Sequence, residues 1–421
     1  MKKDISILIL AAGKGTRMKS ALPKVLHRIC GRPMLGYVLD LAASLKPKDT
    51  VVVLGHEHKL VKKEIPPKIK TAIQSRLLGT ADAVRVGLSK LSVNSGSVLI
   101  LYADVPLLTK EALLKLIKRH FEGDAEATLL TADVSEPKGY GRVLRDKYFS
   151  ICGIAEEKDA DEFQRDIKEI NTGIMCFNIA TLKRALTKVK RNNKKREYYL
   201  TDVIKVLYSQ GKVLEGVKIK NKEEAMGINS KIELAEANTI MQSRINKKIM
   251  LSGVSILDAR STFISYDTKI GEDTVIYPFT VIESNVKIGK RCSIGPFARL
   301  REGTRISDDV TLGNFLEVTR AKISKGTFAK HFCYIADSSV GKSVNIGAGA
   351  VTANFDGLNK HRTVIKDKAF IGSDTIIVAP VKVGRSSKTG AGAVVIKDIP
   401  DNNTVVGVPA RILKKIRNRY E

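Results

Sequence analysis

In the second half of the chain an aliphatic residue recurs at every sixth position, and this period restricts the fold more than any other feature of the sequence. The unbroken series comprises Ile270, Ile276, Ile282, Ile288, Ile294, Leu300, Ile306, Leu312 and Val318. The period returns as Ile371, Ile377, Val383, Thr389 (which is not aliphatic) and Val395. Six residues match neither the ~3.6-residue turn of an α-helix nor the two-residue repeat of a strand. The period is typical of hexapeptide repeats, which wind a left-handed parallel β-helix with one short strand per hexapeptide and three strands per coil.

The repeats also predict which residues lie inside the β-helix and where its coils are interrupted. We expect the aliphatic residues to fill the interior and the glycine that follows many of them to permit a tight corner. The period fails in residues 321–339, which we interpret as irregular, and in residues 352–370, which we interpret as a protruding loop. Residues 230–250 have an amphipathic pattern that predicts a connecting helix.

The first half of the chain alternates short apolar runs with longer amphipathic segments. The apolar runs predict strands at residues 5–10, 50–55, 97–102, 127–134 and 170–177. The amphipathic segments predict helices at residues 34–45, 80–91 and 110–121. This alternation indicates a Rossmann-like α/β domain with a mostly parallel sheet, which binds ligands beyond the carboxyl ends of its strands. The predicted segments are the α/β domain at 1–228, the connecting helix at 229–250 and the hexapeptide β-helix domain at 251–421.

Cysteine content and hydropathy exclude several classes of protein. The five cysteines are scattered and form no CxxC pair, which excludes a disulfide scaffold and an ordinary structural zinc site. The N-terminus begins like a signal peptide, but Asp4 interrupts the apolar run and no small-residue cleavage site follows. No apolar run approaches the ~18 residues of a membrane span. We therefore expect a cytoplasmic protein without membrane insertion.

The chain is strongly basic, with 72 Lys and Arg against 44 Asp and Glu and a formal net charge of +28. Such an excess is compatible with nucleic-acid binding, with anionic substrates, or with a bias of the whole chain. The excess occurs in both halves, with one local cluster at residues 188–196 and a basic tail at residues 413–419. We expect no nucleic-acid partner and keep RNA binding as an alternative.

A Gly-rich turn follows the first predicted strand, in the string LAAGKGTRM at residues 10–18. Its backbone N–H groups can bind phosphate, and Lys14, Arg17 and Lys24 supply positive charge. The string is not a Walker motif, and Met18 stands where GxGxxG would have its third glycine. A purely structural turn is an open alternative.

Two single residues are candidates for chemistry, each with an ordinary structural alternative. Asp104 follows the strand predicted at 97–102, where a carboxylate could hold Mg²⁺ against phosphates or could cap the next helix. His331 lies in the segment interpreted as irregular. A neutral imidazole is a suitable base for an attacking amine, although a lone histidine is often a surface or core residue.

Together these strings resemble the sugar-1-phosphate nucleotidyltransferases, whose opening pattern LAAGxGTRMxSxxPKxLxxxxGxPM runs through residues 10–34 almost unbroken. Further matching strings lie at residues 74–84, 101–107, 139–142, 155–160, 169–174, 197–204 and 227–231. With the hexapeptide half, the chain resembles the bifunctional enzymes of UDP-N-acetylglucosamine synthesis over essentially its whole length. The resemblance implies acetyl-CoA-dependent N-acetylation of glucosamine-1-phosphate. It then implies Mg²⁺-dependent uridylyl transfer from UTP to N-acetylglucosamine-1-phosphate with release of pyrophosphate, for peptidoglycan or lipopolysaccharide synthesis.

The resemblance assigns roles to residues of the first half by motif matching. Asp104 and Asn229 would hold Mg²⁺, and Arg17 and Lys24 would face the triphosphate as catalytic residues. The uracil would meet Gln74, Gly79, Thr80 and the backbone of Ala11 and Ala12, and the sugar would meet Tyr102, Gly141, Glu156 and Asn171. The nucleotide or nucleotide-sugar would also contact Leu10, Gly13 and Ala103, the last at a position where the family usually has glycine.

In the second half the resemblance makes His331 the general base and Asn354 the residue that orients the reacting groups. The sugar phosphate would be held by Arg301, Tyr334, Asn345 and Lys360. Acetyl-CoA would be held by Ala348, Asn354, Phe355, Ser373, Ala391 and Arg411. Active sites of this class lie between neighbouring subunits, so the resemblance implies a homotrimer.

This half departs from the family pattern at several positions. Thr319 stands where the family has lysine, with Arg320 adjacent as a candidate replacement. Phe355 stands where the family has tyrosine, and Val408 where it has an arginine that meets a CoA phosphate, with Arg411 nearby. The β-helix also lacks about two coils before Arg301.

Two alternative interpretations follow from these departures and from the architecture. One is a monofunctional nucleotidyltransferase whose β-helix serves only oligomerisation. The other is a non-catalytic subunit like those of the eukaryotic initiation-factor exchange complex. The intact set of Lys24, Asp104 and Asn229 argues against the second, because a scaffold has no need of metal-binding groups beside a phosphate-binding turn.

Overall fold

The computed structural model describes residues 4–191, 193–194 and 196–413, and the chain divides into two compact units, Met1–Asn238 and Thr239–Glu421. Residues 414–419 of the basic tail, and Asn192 and Lys195 of the basic cluster, lie outside the described residues. Each unit has its own hydrophobic core.

The first unit is built on a mixed sheet that, in its described residues, has the strand order β11–β7–β10–β6–β1–β4–β5, with β8 and β9 as an antiparallel extension on β10. The strands are β1 (Ile5–Ala11), β2 (Arg28–Ile29), β3 (Arg32–Pro33), β4 (Thr50–Leu54), β5 (Lys70–Ile73), β6 (Ser97–Tyr102), β7 (Ala127–Asp133), β8 (Gly141–Arg145), β9 (Ile151–Ala155), β10 (Glu169–Asn178) and β11 (Leu214–Ile219). β2 and β3 form a separate ribbon. The five predicted strands are confirmed. Of the eight pairings described in this sheet four are parallel and four antiparallel, and β10 runs antiparallel to its three partners, β6, β7 and β8.

Helices cover both faces of this sheet. They are α1 (Met34–Ser44), α2 (His58–Lys62), α3 (Thr80–Leu88), α4 (Lys110–Glu122), α5 (Glu162–Arg165), α6 (Ile179–Leu186) and α7 (Asp202–Ser209), with 3-10 turns at Thr16–Met18, Lys24–Leu26 and Lys222–Ala225. α1 and α4 bury Leu35 and Leu113 in one core, and α3 and α7 bury Val84 and Ile204 in the other. Because strand side chains alternate between faces, β1 contributes to both cores. The helices predicted at 34–45, 80–91 and 110–121 are confirmed.

The neighbouring strands β1 and β6 bring the two sequence motifs together. They pair in parallel with Leu10 opposite Tyr102, and the Ala103 amide donates to the Leu10 carbonyl at 3.0 Å. The Gly-rich turn after β1 and Asp104 after β6 therefore leave the same edge of the sheet. This edge is where open α/β sheets bind ligands.

The second unit is a left-handed β-helix whose short strands form three parallel faces. Face 1 contains Ser255–Ile256, Val275–Ile276, Ser293–Ile294, Thr311–Leu312, Phe328–Ala329, Asn345–Ile346, Phe370–Ile371, Lys388–Thr389 and Thr404–Val406, followed by the antiparallel Arg411–Ile412. Face 2 contains Phe263–Ile264, Val281–Ile282, Ala298–Leu300, Leu316–Thr319, Tyr334–Ala336, Val351–Ala353, Ile376–Val378 and Val394–Val395. Face 3 contains Lys269–Ile270, Lys287–Ile288, Arg305–Ile306, Lys322–Ile323, Ser338–Val340, Thr363–Ile365 and Val381–Val383.

The hexapeptide residues are buried as predicted, apart from the partly buried Ile270, but the glycines after them act differently from the prediction. A Cβ on Gly271 would lie 2.7 Å from the backbone of Gly289 in the next coil, and a Cβ on Gly289 would lie 2.6 Å from the Asp308 amide. These glycines are required for close approach between coils. The corner itself is made two residues later by left-handed residues such as Asp273 (φ 60°) and Arg291 (φ 52°).

The prediction of an irregular segment at 321–339 is wrong. These residues continue the coils with strands on all three faces, but each coil has 17 residues instead of 18. One residue is missing from the corner between Val318 and Ile323, so a strict count of six loses the register.

The protruding loop predicted at 352–370 is correct only in its centre. Residues 351–353, 363–365 and 370–371 are strands of the β-helix, so the loop is confined to residues 354–362. It is closed by a bridge between Phe355 and Lys360.

The segment predicted to be a connecting helix forms α8, Lys231–Met250, and the boundary between the units falls within it. In the second unit its buried Asn246 donates to the carbonyls of Ala259 and Thr262 at 2.9 and 3.0 Å. These bonds satisfy backbone groups at the start of the first coil, which has no preceding coil to bond to. Among the described residues, no helix has the length and apolar character needed to cross a bilayer.

Candidate active sites

Four predicted residues of the first unit form one hydrogen-bonded cluster at the edge where β1 and β6 end. The Lys24 ammonium donates to the carboxylate of Asp104 and, at 3.0 Å, to the side-chain oxygen of Asn229. The Arg17 guanidinium donates to the same Asn229 oxygen at 2.9 Å. Lys24 and Asp104 are largely buried, with side chains 12% and 18% exposed. The structure thus brings together the predicted metal ligands and the predicted triphosphate-binding cations.

The chemistry of this cluster fits a hard cation such as Mg²⁺. A carboxylate oxygen and an amide oxygen face one positive charge, now the Lys24 ammonium, and oxygen is the donor that Mg²⁺ prefers. Within the described residues no group of three or more His, Cys, Asp or Glu could enclose a metal by itself. Substrate phosphates would therefore supply the remaining ligands.

The Gly-rich turn lies beside this cluster. A Cβ on Gly13 would meet open space, whereas Gly15 has left-handed φ (63°) and a Cβ there would lie 2.5 Å from the Cβ of Lys24. Glycine at position 15 therefore lets the turn pass close to Lys24. The other predicted contacts of this edge, Leu10, Ala11, Ala12 and Ala103, are buried.

The residues predicted to meet the uracil form a connected loop before α3. Buried Gln74 donates to the Gly79 carbonyl at 3.1 Å and to the Asp82 carboxylate at 2.7 Å. Thr80 accepts a bond from the Leu200 amide at 2.9 Å. A Cβ on Gly79 would lie 2.4 Å from the Tyr198 carbonyl, so this position requires glycine. The segment 198–200 supports this loop, a role that we did not predict, although its string was among the family matches.

The predicted sugar-binding residues lie around Tyr102. Burial, and the nearby carboxylates of Glu156 and Asp104, raise the pKa of Tyr102, so its phenol is neutral at physiological pH. Gly141 and Asn171 pair across β8 and β10, and a Cβ on Gly141 would lie 3.7 Å from a Glu156 oxygen. The Asn171 side chain accepts a bond from the Gly173 amide at 3.0 Å.

Thr201, which we did not predict as a site residue, contacts the predicted site directly. Its hydroxyl donates to the Glu156 carboxylate at 2.8 Å. The only sequence signal was its place in the matching string at 197–204.

In the second unit, four predicted residues lie at one corner of the β-helix, between faces 1 and 2. The register on both sides places His331, Ala348, Ser373 and Ala391 at equivalent positions of four successive coils. His331 is exposed, and its imidazole has no hydrogen-bond partner among the described residues. The predicted base and three predicted acetyl-CoA contacts therefore form one column.

The predicted sugar-phosphate residues lie on both sides of this corner. Asn345 is on face 1, while Tyr334 is on face 2 opposite Glu317, whose carboxylate accepts a bond from Arg301 at 2.9 Å. The fourth, Lys360, is in the loop at 354–362. One chain therefore does not bring all four onto a single face.

Asn354 belongs to the next corner, between faces 2 and 3, together with Arg320. The Asn354 amide donates to the Asp337 carboxylate, which also accepts two bonds from Arg320, at 2.6 and 2.7 Å. Thr319 is buried and accepts a bond from Arg320 at 3.2 Å. Asp337 was not predicted from the sequence.

The remaining predicted contacts are exposed, and one nearby cysteine is not. Phe355 is exposed in the loop, Arg411 is exposed in the last strand, and Val408 is exposed before it. Burial raises the pKa of the Cys333 thiol to about 12, which agrees with a packed small residue rather than a nucleophile.

These features define a two-part transferase, with a phosphate-binding α/β unit followed by a hexapeptide β-helix. Family profiles agree with this description: the MobA-like NTP transferase domain matches residues 7–166, and six repeats of the bacterial transferase hexapeptide match residues 267–302. Curated relatives match nearly the whole chain. "Bifunctional protein GlmU" of Thermosipho africanus (strain TCF52B) is 42% identical over 441 positions, covering 97% of this chain and 96% of the relative. The proteins of the same name from Alkaliphilus metalliredigens (strain QYMF) and Clostridioides difficile (strain 630) are 39% and 38% identical, over 96% and 98% of this chain and 95% and 97% of the relatives.

The chain therefore belongs to the GlmU family of bifunctional enzymes. It is a UDP-N-acetylglucosamine diphosphorylase (a uridylyltransferase) and a glucosamine-1-phosphate acetyltransferase. This membership favours the bifunctional interpretation over the monofunctional one. Since 97% of 421 residues is about 408, about 33 of the 441 positions aligned with the Thermosipho protein are gaps in this chain. This length is close to that of two 18-residue coils.

Proposed function

We propose that the first unit transfers the uridylyl group of UTP to N-acetylglucosamine-1-phosphate, with Mg²⁺ held by Asp104 and Asn229. The observation that supports this most directly is the convergence of their oxygens on one cationic nitrogen of Lys24, beside the Gly-rich turn. When bound, the ion would neutralise phosphate charge and help to orient the triphosphate.

In this reaction the protein positions and stabilises charge without a covalent nucleophile. A phosphate oxygen of the sugar phosphate attacks the α-phosphorus of UTP in line, the bond to the bridging oxygen breaks, and pyrophosphate leaves. Lys24 and Arg17, both bonded to Asn229, lie where they can neutralise the charge that develops on the leaving group.

We assign recognition of the two substrates to two groups of residues near this edge of the sheet. An ionised carboxylate accepts only, and each of its oxygens has more than one lone pair, so Glu156, held by Thr201, is suited to accept bonds from sugar hydroxyl groups. The uracil contacts are Gln74, Gly79, Thr80 and the backbone of Ala11 and Ala12, and the other sugar contacts are Tyr102, Gly141 and Asn171.

For the second unit we assign acetyl transfer to the corner at His331. The amine of glucosamine-1-phosphate attacks the thioester carbonyl of acetyl-CoA, and His331 removes the amine proton as the C–N bond forms. The C–S bond breaks, and CoA leaves and takes up a proton as its thiol. The exposed imidazole, which has no hydrogen-bond partner in the part of the chain that the structure describes, supports this assignment, as does its column with Ala348, Ser373 and Ala391.

We also propose a homotrimer in which neighbouring subunits complete the acetyl-transfer site, in the cytoplasm where UTP and acetyl-CoA are made. The corner beside His331 carries a column of exposed phenylalanines: Phe279 and Phe297 stack at 4.9 Å, and Phe297 and Phe315 at 4.8 Å. An exposed apolar column of this kind favours cover by another chain. Sedimentation equilibrium should give about three times the 46.2 kDa chain mass, and a monomer at micromolar concentration would contradict the proposal.

The central test measures both activities on the same full-length protein. Thiol release from acetyl-CoA with glucosamine-1-phosphate reports the second unit, and pyrophosphate release from UTP with N-acetylglucosamine-1-phosphate reports the first. We expect His331→Ala to reduce thiol release at least ~100-fold, and Lys24→Ala to reduce pyrophosphate release by a similar factor. Each variant should leave the other activity unchanged and so serve as the control for the other. Loss of both activities in either variant would contradict the assignment of separate sites.

A further inference from the structure

Three polar residues occupy equivalent corner positions in three successive coils of the β-helix. Arg320, Asp337 and Asn354 are spaced by 17 residues, and the Asp337 amide donates to the Thr319 carbonyl of the preceding coil at 3.0 Å. Neighbouring coils are ~4.8 Å apart, so side chains at one corner position meet. The loss of one residue from each of two corners, after Val318 and after Ile335, is what brings these three into line.

The bonds within this corner converge on Asp337, which accepts from Arg320 on one side and from Asn354 on the other. Arg320 binds both carboxylate oxygens of Asp337, through Nε and Nη2, at 2.6 and 2.7 Å. The bond from Arg320, together with the bond from Asn354 and the nearby charge of Lys360, lowers the pKa of Asp337. The carboxylate is therefore ionised at neutral pH and can only accept.

An acceptor-only partner fixes the orientation of the Asn354 amide. Asn354 is 6% exposed, and it must present Nδ2 to Asp337, which sets the direction of Oδ1, its single acceptor. Its backbone carbonyl accepts a bond from the His361 amide at 2.7 Å, which closes the loop that begins at this residue. Both the backbone and the side chain of Asn354 are thus held.

We infer that Asp337 is a positioning residue for acetyl transfer, acting by holding the Asn354 amide while Arg320 holds Asp337. The inference rests on the proposed function, in which Asn354 orients the reacting groups. It also gives Arg320 a role different from that expected from the sequence. Three of its nitrogens are bonded to Asp337 and Thr319, so it supports the corner and does not replace the family's lysine at the sugar phosphate.

The first test compares Asp337→Ala with Asp309→Ala in the full-length protein. Asp309 is a matched control, because it accepts two bonds from Arg291, at 2.7 and 3.2 Å, at another corner of the β-helix. We expect Asp337→Ala to lower kcat for thiol release ~30- to 100-fold while KM for glucosamine-1-phosphate changes less than ~3-fold, since misplacing a group by about 1 Å costs a factor of this order. Asp309→Ala should change neither constant by more than ~2-fold. Pyrophosphate release should be unchanged in both.

Asp337→Asn provides a conservative variant, because it keeps an acceptor for Asn354 and loses the charge that binds Arg320. We expect a smaller loss of kcat, ~3- to 10-fold. Equal effects of Asp337→Ala and Asp309→Ala would overturn the inference and reduce Asp337 to a stabilising corner residue.

A double-mutant cycle separates action through Asn354 from an independent effect. If Asp337 acts through Asn354, adding Asp337→Ala to Asn354→Ala should lower kcat less than ~2-fold further. Full additivity would overturn the inference even if each single variant is impaired. Absence of thiol release from the unmodified chain would overturn the proposed acetyl transfer itself, and the inference with it. Normal thiol release with an unaffected Asp337→Ala variant would overturn the inference alone.

Discussion

Asp202, the first residue of α7, is a half-buried carboxyl group in the first unit. Burial, and secondarily the charge of Glu156, raise the pKa of Asp202 to about 6. An unfolded aspartate has a pKa of about 3.9, so between about pH 4 and 6 the folded state binds more protons than the unfolded state. The free energy of unfolding therefore decreases as pH rises through this window.

We predict that Asp202→Asn removes this penalty. At pH 7.5 the variant should be more stable by about 1 kcal/mol after allowance for partial exposure, which raises the Tm by about 2–4 °C. At pH 4 the two proteins should unfold at nearly the same temperature. Thermal unfolding at both pH values measures the difference.

Glu157→Gln supplies a control of opposite sign. The bond from Arg142 lowers the pKa of Glu157, so its contribution to stability is present at neutral pH and is lost on acidification. This variant should unfold at a lower temperature than the unmodified chain at pH 7.5, and the gap should close as pH falls. A lower Tm for Asp202→Asn at pH 7.5 would contradict the prediction.

Single residues of the candidate sites were predictable from sequence where a motif fixes the backbone. Lys24 and Asp104 follow strands whose ends meet at one edge, and the structure brings their side chains together. Thr201 and Asp337 were not predictable, because each is tied to its candidate site by a hydrogen bond with a residue distant in sequence, Glu156 or Asn354. Pairwise contacts of this kind leave no local pattern.

At the scale of elements, the same limit appears in the β-helix coils. A strict six-residue count predicted the interior positions up to Val318 and then failed. The strands nevertheless continue beyond Val318. The next corner is shorter by one residue, so the next interior residue is Ile323, and a second shortened corner makes Val340 the interior residue that follows Ile335. A search that allows interior residues to be five as well as six positions apart would recover these coils from the sequence.

Thr389 is the one interior position of the returning series that is not aliphatic, and its hydroxyl has two partners. It accepts a bond from the Gly372 amide at 2.9 Å and bonds to the Thr375 hydroxyl at 2.8 Å. Thr389→Val restores the aliphatic pattern but leaves a buried N–H group without this acceptor. We predict a loss of about 1–3 kcal/mol in the free energy of unfolding, measured by guanidinium unfolding followed at the β-helix transition.

Val395→Thr is the matched control in the opposite direction, because it adds a hydroxyl to the next position of the same series. Burying a hydroxyl without a partner should also destabilise, by about 1–3 kcal/mol. Both exchanges should therefore lower stability. A more stable Thr389→Val variant would show that the repeat pattern outweighs the hydrogen bonds.

At the scale of the whole molecule, the net charge of +28 could not by itself distinguish between binding partners. All the proposed substrates are anions, so a positive field favours their approach as it would favour RNA. Function followed from the sites, and the residues predicted for each site fall within one compact unit of the chain. Hydrophobic periods predict such units, but they do not indicate which unit depends on a metal.

We predict that removing divalent cations with EDTA separates the two activities. Pyrophosphate release should fall at least ~100-fold, because Asp104 and Asn229 would no longer hold the ion that neutralises phosphate charge, and added Mg²⁺ should restore it. Thiol release should remain within ~2-fold, because amine attack with His331 as base requires no metal. If EDTA abolished both activities, with parallel loss of the assembled mass, the metal would be holding the molecule together and not serving the first site.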